Sequence, residues 1–147
     1  MRGTSLENAT ESPYKKFEIG IAEIDAQHRR LFELLDEMRS WSGSALEHSA
    51  IRDMLNALAE YATTHFAVEE SLMRMLHYPH TAAHIADHRK FTNQLNAFRY
   101  QFLKEGNVGE VELIGFIQSW LVEHIDRADR AYVNYFLAKG INPHPFP

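Results

Sequence analysis

The stretch His65-Phe66-Ala67-Val68-Glu69-Glu70 sets a histidine and a carboxylate four residues apart inside a long apolar run. Read as a helix, it lies on a seam through Ile51, Leu55, Leu58, Ala62, His65, Glu69, Leu72 and Leu76. The steps alternate between four and three, the spacing of one buried helix face. His65 and Glu69 therefore occupy places where hydrophobic residues belong. Burying them without partners costs several kcal/mol, so the remainder of the chain must satisfy them.

Equivalent seams run outward from this one. Asp25 is read as the N-cap of a first helix reaching about Trp41, with the seam Ile24, His28, Leu31, Leu35 and Met38. Ser44 and Glu47 have capping-box spacing ahead of the second helix, which spans about Ala45 to His77 and stops at Tyr78-Pro79 because proline restricts the residue before it. A third helix runs from His80 or Thr81 to about Lys104, with the seam His84, His88, Phe91, Leu95, Phe98 and Phe102. Asn107 and Glu110 resemble a further cap, and the fourth helix carries Val111, Ile114, Ile117, Leu121, His124 and Ala128. AYVNYFLAKG after it reads as a short final helix or turn. Residues 1–13 are read as a tail, 14–140 as one domain that opens with an irregular arm over Tyr14–Glu23, and 141–147 as a second tail. Nothing alternates as a strand does. The expected fold is all-α: an up-down-up-down antiparallel four-helix bundle.

That topology makes a prediction of its own. His28 and the pair His84/His88 start their helices, while His65/Glu69 and His124 lie late in theirs. Start, end, start, end is one end of an antiparallel bundle, so the polar seam residues converge there.

Composition narrows the chemistry. Hydrophobic residues make up 45%, which is globular, and the formal charge of −5 leaves no basic footprint for nucleic acid. The chain holds no apolar run of the roughly 18 residues that span a membrane, and MRGTSLENATESP lacks a signal-peptide core, so a cytoplasmic location is expected. With no cysteine, thiolate nucleophiles, disulfides and the usual zinc-finger and iron–sulfur ligands are excluded. Nine histidines are the unusual feature. Imidazoles with carboxylates suit iron, manganese or zinc rather than copper(I). Five seam histidines and two carboxylates exceed what one ion can use. Two octahedral ions offer about twelve positions, and these residues plus a bridging solvent oxygen leave one open. A redox pair with a single vacancy in a dry bundle suits a small diatomic ligand, dioxygen above all.

The motifs ID-x-QH (Ile24, Asp25, Gln27, His28), HF-x-x-EE-x-x-M (His65 to Met73), YP (Tyr78, Pro79), H-x-x-x-H-x-x-F (His84, His88, Phe91) and WL-x-x-HI-x-x-x-D-x-x-Y (Trp120 to Tyr132) resemble those of bacterial hemerythrins, in order and over about Tyr14 to Tyr135. The resemblance implies a non-haem di-iron centre (Fe2+/Fe3+ with a bridging oxo or hydroxo group) that binds dioxygen for transport, storage or delivery. It implies that His84, His88 and His124 serve one iron, that His28 and His65 serve the other, which keeps the vacancy, and that Glu69 and Asp129 bridge. Leu121 resembles the family leucine over the oxygen site; Ile24, Phe66 and Trp120 are weaker candidates for that apolar shell, which must exclude water. Asp129 follows His124 by five residues, about 140° round an ideal helix, and reaches the site only if the helix bulges there. Asp126 lies still farther round.

Other residues are given plainer readings. His48, His77, His80 and His144 fall off the seams and are read as solvated. Glu70 is taken as a surface acid or a partner of a ligand. Met73 and the Phe91/Phe98/Phe102 stripe are taken as core. Tyr132 is read as either a hydrogen-bond donor near Asp129 or a packing aromatic. Gly115 is assigned to close helix packing ahead of an access route. A non-enzymatic binding protein is the leading reading, with weak peroxidase side activity. A di-iron oxidase or peroxidase is the first rival, but the order His-x-x-x-Glu reverses the Glu-x-x-His of ferritin-like enzymes. A zinc hydrolase would need H-E-x-x-H, and His84-Ile85-Ala86-Asp87-His88 lacks the glutamate. A sensor of oxygen, iron or redox state is the second rival, and the chain length leaves no room for a fused signalling domain. A monomer with no nucleic-acid or membrane partner is expected, acting beside an oxygen-consuming protein.

Overall fold

The computed structural model describes residues 14–40, 48–105 and 110–141. A single 3-10 turn, Lys15–Phe17, precedes α1 (Ala22–Ser40), α2 (His48–Met75), α3 (Thr81–Glu105) and α4 (Glu110–His124). A π-helical turn, Ile125–Asp129, then leads without interruption into α5 (Arg130–Ala138). The last three segments form one rod, so four rods make the bundle and no strand occurs among the described residues.

Cross-helix pairs give the antiparallel arrangement. Asn56 near the start of α2 accepts from Arg99 near the end of α3 at 2.7 Å, while Phe66 late in α2 stacks on His88 early in α3 at 3.9 Å. Arg39 at the end of α1 meets Gln118 of α4, and His28 near its start meets Asp129. Phe91 and Phe116 stack at 5.4 Å between α3 and α4. The core is continuous through these contacts. Its half away from the histidines consists of apolar side chains, with Leu35, Leu55, Leu58, Leu95, Phe102, Leu113 and Ile117 all buried.

The helix boundaries differ from the sequence expectation in instructive ways. Asp25 is not the N-cap of α1, which begins three residues earlier. It sits in the first turn and reaches back, accepting from Ile19 N–H at 2.7 Å and Gly20 N–H at 3.1 Å. One carboxylate thus satisfies two donors of the arm, where Gly20 turns at φ +100°. Arg130 donates to the carbonyls of Lys16 and Glu18, and Tyr14 and Phe17 stack on Phe32 at 4.5 and 5.0 Å. The arm is ordered for these reasons.

The second helix ends at Met75, before the Tyr78-Pro79 stop. His77 takes φ 57°, its N–H donates to Arg74 O at 3.2 Å, and Tyr78 N–H donates to Met73 O at 2.9 Å. This is a Schellman closure with histidine in the left-handed position. The capping positions Ser44, Glu47 and Asn107 lie outside the described residues. Gly115 is not a close-packing residue: a Cβ built there meets nothing within 4 Å.

Candidate metal centre

Among the described residues, seven histidine and carboxylate side chains are buried at one end of the bundle: His28, His65, Glu69, His84, His88, His124 and Asp129. Each comes from a seam position except Asp129, which the π turn brings in. In an α-helix five residues overshoot a turn; a π turn closes on i→i+5 bonds, so five residues complete it. Asp129 consequently lies under His124, with Oδ1 3.2 Å from His124 Nε2 and 3.0 Å from His84 Nε2. Its other oxygen, Oδ2, is 3.1 Å from His28 Nε2. Asp126 stays at the surface and pairs with Arg130.

Glu69 occupies the corresponding position on α2. Its Oε1 is 3.1 Å from His65 Nε2 and 3.4 Å from His88 Nε2. Its Oε2 accepts a hydrogen bond from Tyr132 at 3.0 Å. Of the two readings open for Tyr132, its hydroxyl therefore serves a carboxylate, but that of Glu69 rather than Asp129.

These contacts do not satisfy the groups that make them. His28 Nε2, His84 Nε2, Glu69 Oε1 and both oxygens of Asp129 are buried without a hydrogen bond of acceptable geometry. Unpaired buried polar atoms are expensive, and here they face one another. The tautomers sharpen the point. His65 Nδ1–H donates to Gln27 Oε1 at 2.7 Å, and His88 Nδ1–H donates to Glu70 Oε2 at 2.9 Å. In their neutral forms both rings therefore turn a lone pair on Nε2 toward Glu69, and the Nε2 atoms of His88 and His124 approach to 3.1 Å. Lone pairs aimed at carboxylate oxygens call for a positive centre between them.

The donor set fits metal ions. Glu69, His84, His88 and His124 form one group, and His28, His65, Glu69 and Asp129 another, the donor atoms of each lying within 4.8 Å of one another. Glu69 belongs to both. An octahedron with bonds of about 2.1 Å has edges of about 3 Å, and the contacts around the two carboxylates run from 3.0 to 3.4 Å.

Charge is balanced by the same neighbours. Burial pushes the Glu69 carboxyl up, and Asp129 adds to this, but His65 and His88 outweigh both and pull it down to about 2. Burial likewise opposes ionisation of Asp129, and His124, His28 and His84 hold it well below the usual carboxylate range. His28 and His88 are raised because Asp129 and Glu69 overcome the burial that would lower them. For His65 burial wins, and the ring is held toward its neutral form. Burial, reinforced by Glu69 and Asp129, lifts Tyr132 well above the ordinary phenol value, so it remains a donor.

The sequence singles out four residues for an apolar shell. Ile24, Phe66 and Leu121 are buried. Phe66 stacks on His88, and half-buried Trp120 stacks on His124 at 4.3 Å and 12°. His77 and His80 are exposed, as read from the sequence. Sequence reasoning missed Gln27 as an orienting partner, and also Asp87, which lies 3.9 Å from His124 Nδ1 and is held by Arg127 at 3.0 Å. Gln27 precedes His28 in its motif, but its target is across the bundle on His65. Only helix register reveals that.

Comparison with known proteins supplies the family. The hemerythrin HHE cation-binding domain matches residues 19–136. Bacteriohemerythrin of Pseudomonas aeruginosa (strain LESB58) is 35% identical over 115 residues, covering 78% of this chain and 74% of the relative. That of Clostridium acetobutylicum is 29% identical over 123 residues, covering 81% and 95%. The crystal structure of a wild-type hemerythrin superposes with a TM-score of 0.77 at 26% identity, covering 85% of this chain and 95% of that one. A bundle that buries five histidines and two carboxylates at one end, matched along most of its length by these proteins, places the chain in the hemerythrin family, among its bacterial members.

Proposed function

We propose that this protein binds dioxygen reversibly at a carboxylate-bridged pair of iron ions, for carriage, storage or delivery. The observation that carries the reading is the sharing of Glu69 between two buried donor groups. In this reading His84, His88 and His124 would hold one iron, and His28 and His65 would hold the other. Glu69 and Asp129 bridge, each with oxygen contacts to both histidine sets. The side with two histidines offers fewer protein donors, and the small ligand would be taken up there. When bound, the iron pair supplies the two electrons that reversible oxygen uptake requires.

The chain's own residues do the rest. Gln27 and Glu70 accept from Nδ1–H of His65 and His88, fixing the tautomers that present Nε2 inward. Asp87, braced by Arg127, faces His124 Nδ1 at 3.9 Å, near it but beyond hydrogen-bond distance. Tyr132 holds Glu69 from behind. Ile24, Phe66, Leu121 and Trp120 keep water from the oxygen pocket, so that the ligand leaves as dioxygen instead of being protonated and lost. Binding without turnover follows from a site rich in imidazole and poor in acids. Among the described residues no helix is long and apolar enough to cross a membrane.

An optical experiment tests the reading. The aerobic iron-loaded protein should display iron charge-transfer bands that bleach when oxygen is removed and return when it is restored. Irreversible bleaching with consumption of a co-substrate would replace carriage by an oxidase or peroxidase activity. Protein that retains no iron would end both.

A further inference from the structure

Three of the chain's six tyrosines form a continuous file from the buried carboxylate to the surface. Tyr132, fully buried, donates to Glu69 Oε2 at 3.0 Å. The Tyr132 and Tyr78 ring centroids are 6.2 Å apart, and those of Tyr78 and Tyr135 are 5.4 Å apart, both pairs edge to face. Tyr78 is buried, while Tyr135 is partly exposed. Packing alone does not ask for phenols here. Phe136 sits among the three, with centroids at 5.8, 6.1 and 5.6 Å from Tyr78, Tyr132 and Tyr135, and fills space without a hydroxyl to satisfy. Burying a hydroxyl where a phenylalanine would fit has a cost, and at Tyr132 the hydroxyl is buried and spent on Glu69. Tyr78 and Tyr135 continue from that ring to solvent.

We infer that Tyr132, Tyr78 and Tyr135 are a relay that carries oxidising equivalents from the metal site to the protein surface when hydrogen peroxide enters that site. The inference rests on the di-iron reading above and adds an activity to it. In each event Tyr132 gives up one electron toward the peroxide, and its phenolic proton passes along the existing hydrogen bond toward Glu69. Tyr78 then refills Tyr132, whose proton returns from Glu69, and Tyr135 refills Tyr78, releasing to water one proton for each proton that the reduced peroxide takes up. Two events break one O–O bond and two phenol O–H bonds and form two new O–H bonds. With one Tyr135 per chain, an external phenol reduces the first surface radical before the second event begins, and then reduces the second. The balance is one hydrogen peroxide and two external phenols going to two waters and two phenoxyl radicals, with the tyrosines of the relay restored. The buried histidines are spared oxidation.

The middle ring makes the test clean, because Tyr78 touches neither carboxylate of the site. Iron-loaded wild-type, Tyr78→Phe and Tyr135→Phe proteins are treated with hydrogen peroxide and a nitroso spin trap, and the adduct is mapped by peptide mass spectrometry. The expected wild-type result is an adduct on Tyr135 that is missing from metal-free protein. Tyr78→Phe should lose that adduct yet keep both the charge-transfer bands and a tyrosyl electron paramagnetic resonance signal from Tyr132. Tyr135→Phe should lose it without gaining one on Tyr14, Tyr61 or Tyr100. An equal Tyr135 adduct in Tyr78→Phe, or equal labelling of all exposed tyrosines, would overturn the relay. Iron bands without any tyrosine adduct would overturn the relay and leave the oxygen-binding reading standing. Absence of the bands from wild-type protein would remove both.

Discussion

The two ends of this bundle are built from the same seams by opposite rules. At one end Leu35, Leu55, Leu58, Leu95, Phe102, Leu113 and Ile117 fill the interior with groups that need no partners. At the other end the same helical positions hold five histidines and a glutamate, joined by Asp129 from the π turn. The apolar end stabilises the fold by removing carbon from water. The polar end leaves donors and acceptors without hydrogen bonds and gains only when something cationic joins them. Stability and function are thus divided along the bundle axis, and substitutions at the two ends should fail differently.

The largest effect is expected at Glu69. Glu69→Ala removes the donor common to both groups, so both ions should be lost together and metal analysis after gel filtration should fall to background. His65→Ala should retain the ion on the other side. A Glu69→Ala protein that still carried two ions would break the assignment of a bridge. At the apolar end, Leu58→Ala should cost about 3 kcal/mol in denaturant unfolding, within the range for buried leucines, and leave the ratio of metal to protein unchanged. If Leu58→Ala also lowered that ratio, the division between the ends would be too sharp.

The acid response distinguishes the ends next. In metal-free protein Glu69 titrates at about 2 instead of its ordinary 4.5, and Asp129 is depressed as well. A carboxylate held low in the folded state contributes stability above its unfolded value and loses it as pH falls toward the folded one. Denaturant midpoints of metal-free protein should therefore decline from about pH 4.5 down toward pH 2. Glu69→Gln should make that decline shallower, and Leu58→Ala should shift the whole curve downward without changing its slope. Parallel curves for wild-type and Glu69→Gln would mean that the histidines do not hold Glu69 as described.

Much of this division is visible in the sequence, because a histidine or glutamate on an apolar seam is an anomaly that spacing alone exposes. Asp129 is the informative exception. Its five-residue offset from His124 conflicts with α-helical geometry, and that conflict itself announces the bulge found at Ile125–Asp129. What periodicity cannot reach is the pairing across helices. Gln27 with His65, Glu70 with His88 and Tyr132 with Glu69 depend on how far one helix slides along another, and no single seam encodes that. Local signals also misplace boundaries when a side chain acts backward. Asp25 caps the arm from inside α1, and a capping residue read from sequence is assumed to stand at the start.

The smallest effects concern two helix ends that share one design. α5 closes as α2 does: Gly140 at φ 71° donates to Leu137 O at 3.1 Å, and Ile141 N–H donates to Phe136 O at 2.8 Å. Glycine holds the left-handed position there, and His77 holds it beside the metal end. A side chain in that conformation costs roughly 1–2 kcal/mol, and glycine is the usual occupant. Gly140→Ala should therefore destabilise by about 1 kcal/mol. His77→Gly should stabilise by somewhat less, because glycine gives back part of the gain through the greater freedom of the unfolded chain. Gly115→Ala supplies the reference: helical, open to solvent and free of clash, it should stabilise by about 0.5–1 kcal/mol through propensity alone. The informative comparison is His77→Gly against Gly115→Ala in metal-loaded protein. Equal gains would make His77 an ordinary strained residue. A loss at His77 would mean that its side chain, though exposed, braces the turn that carries Tyr78 toward the buried carboxylates.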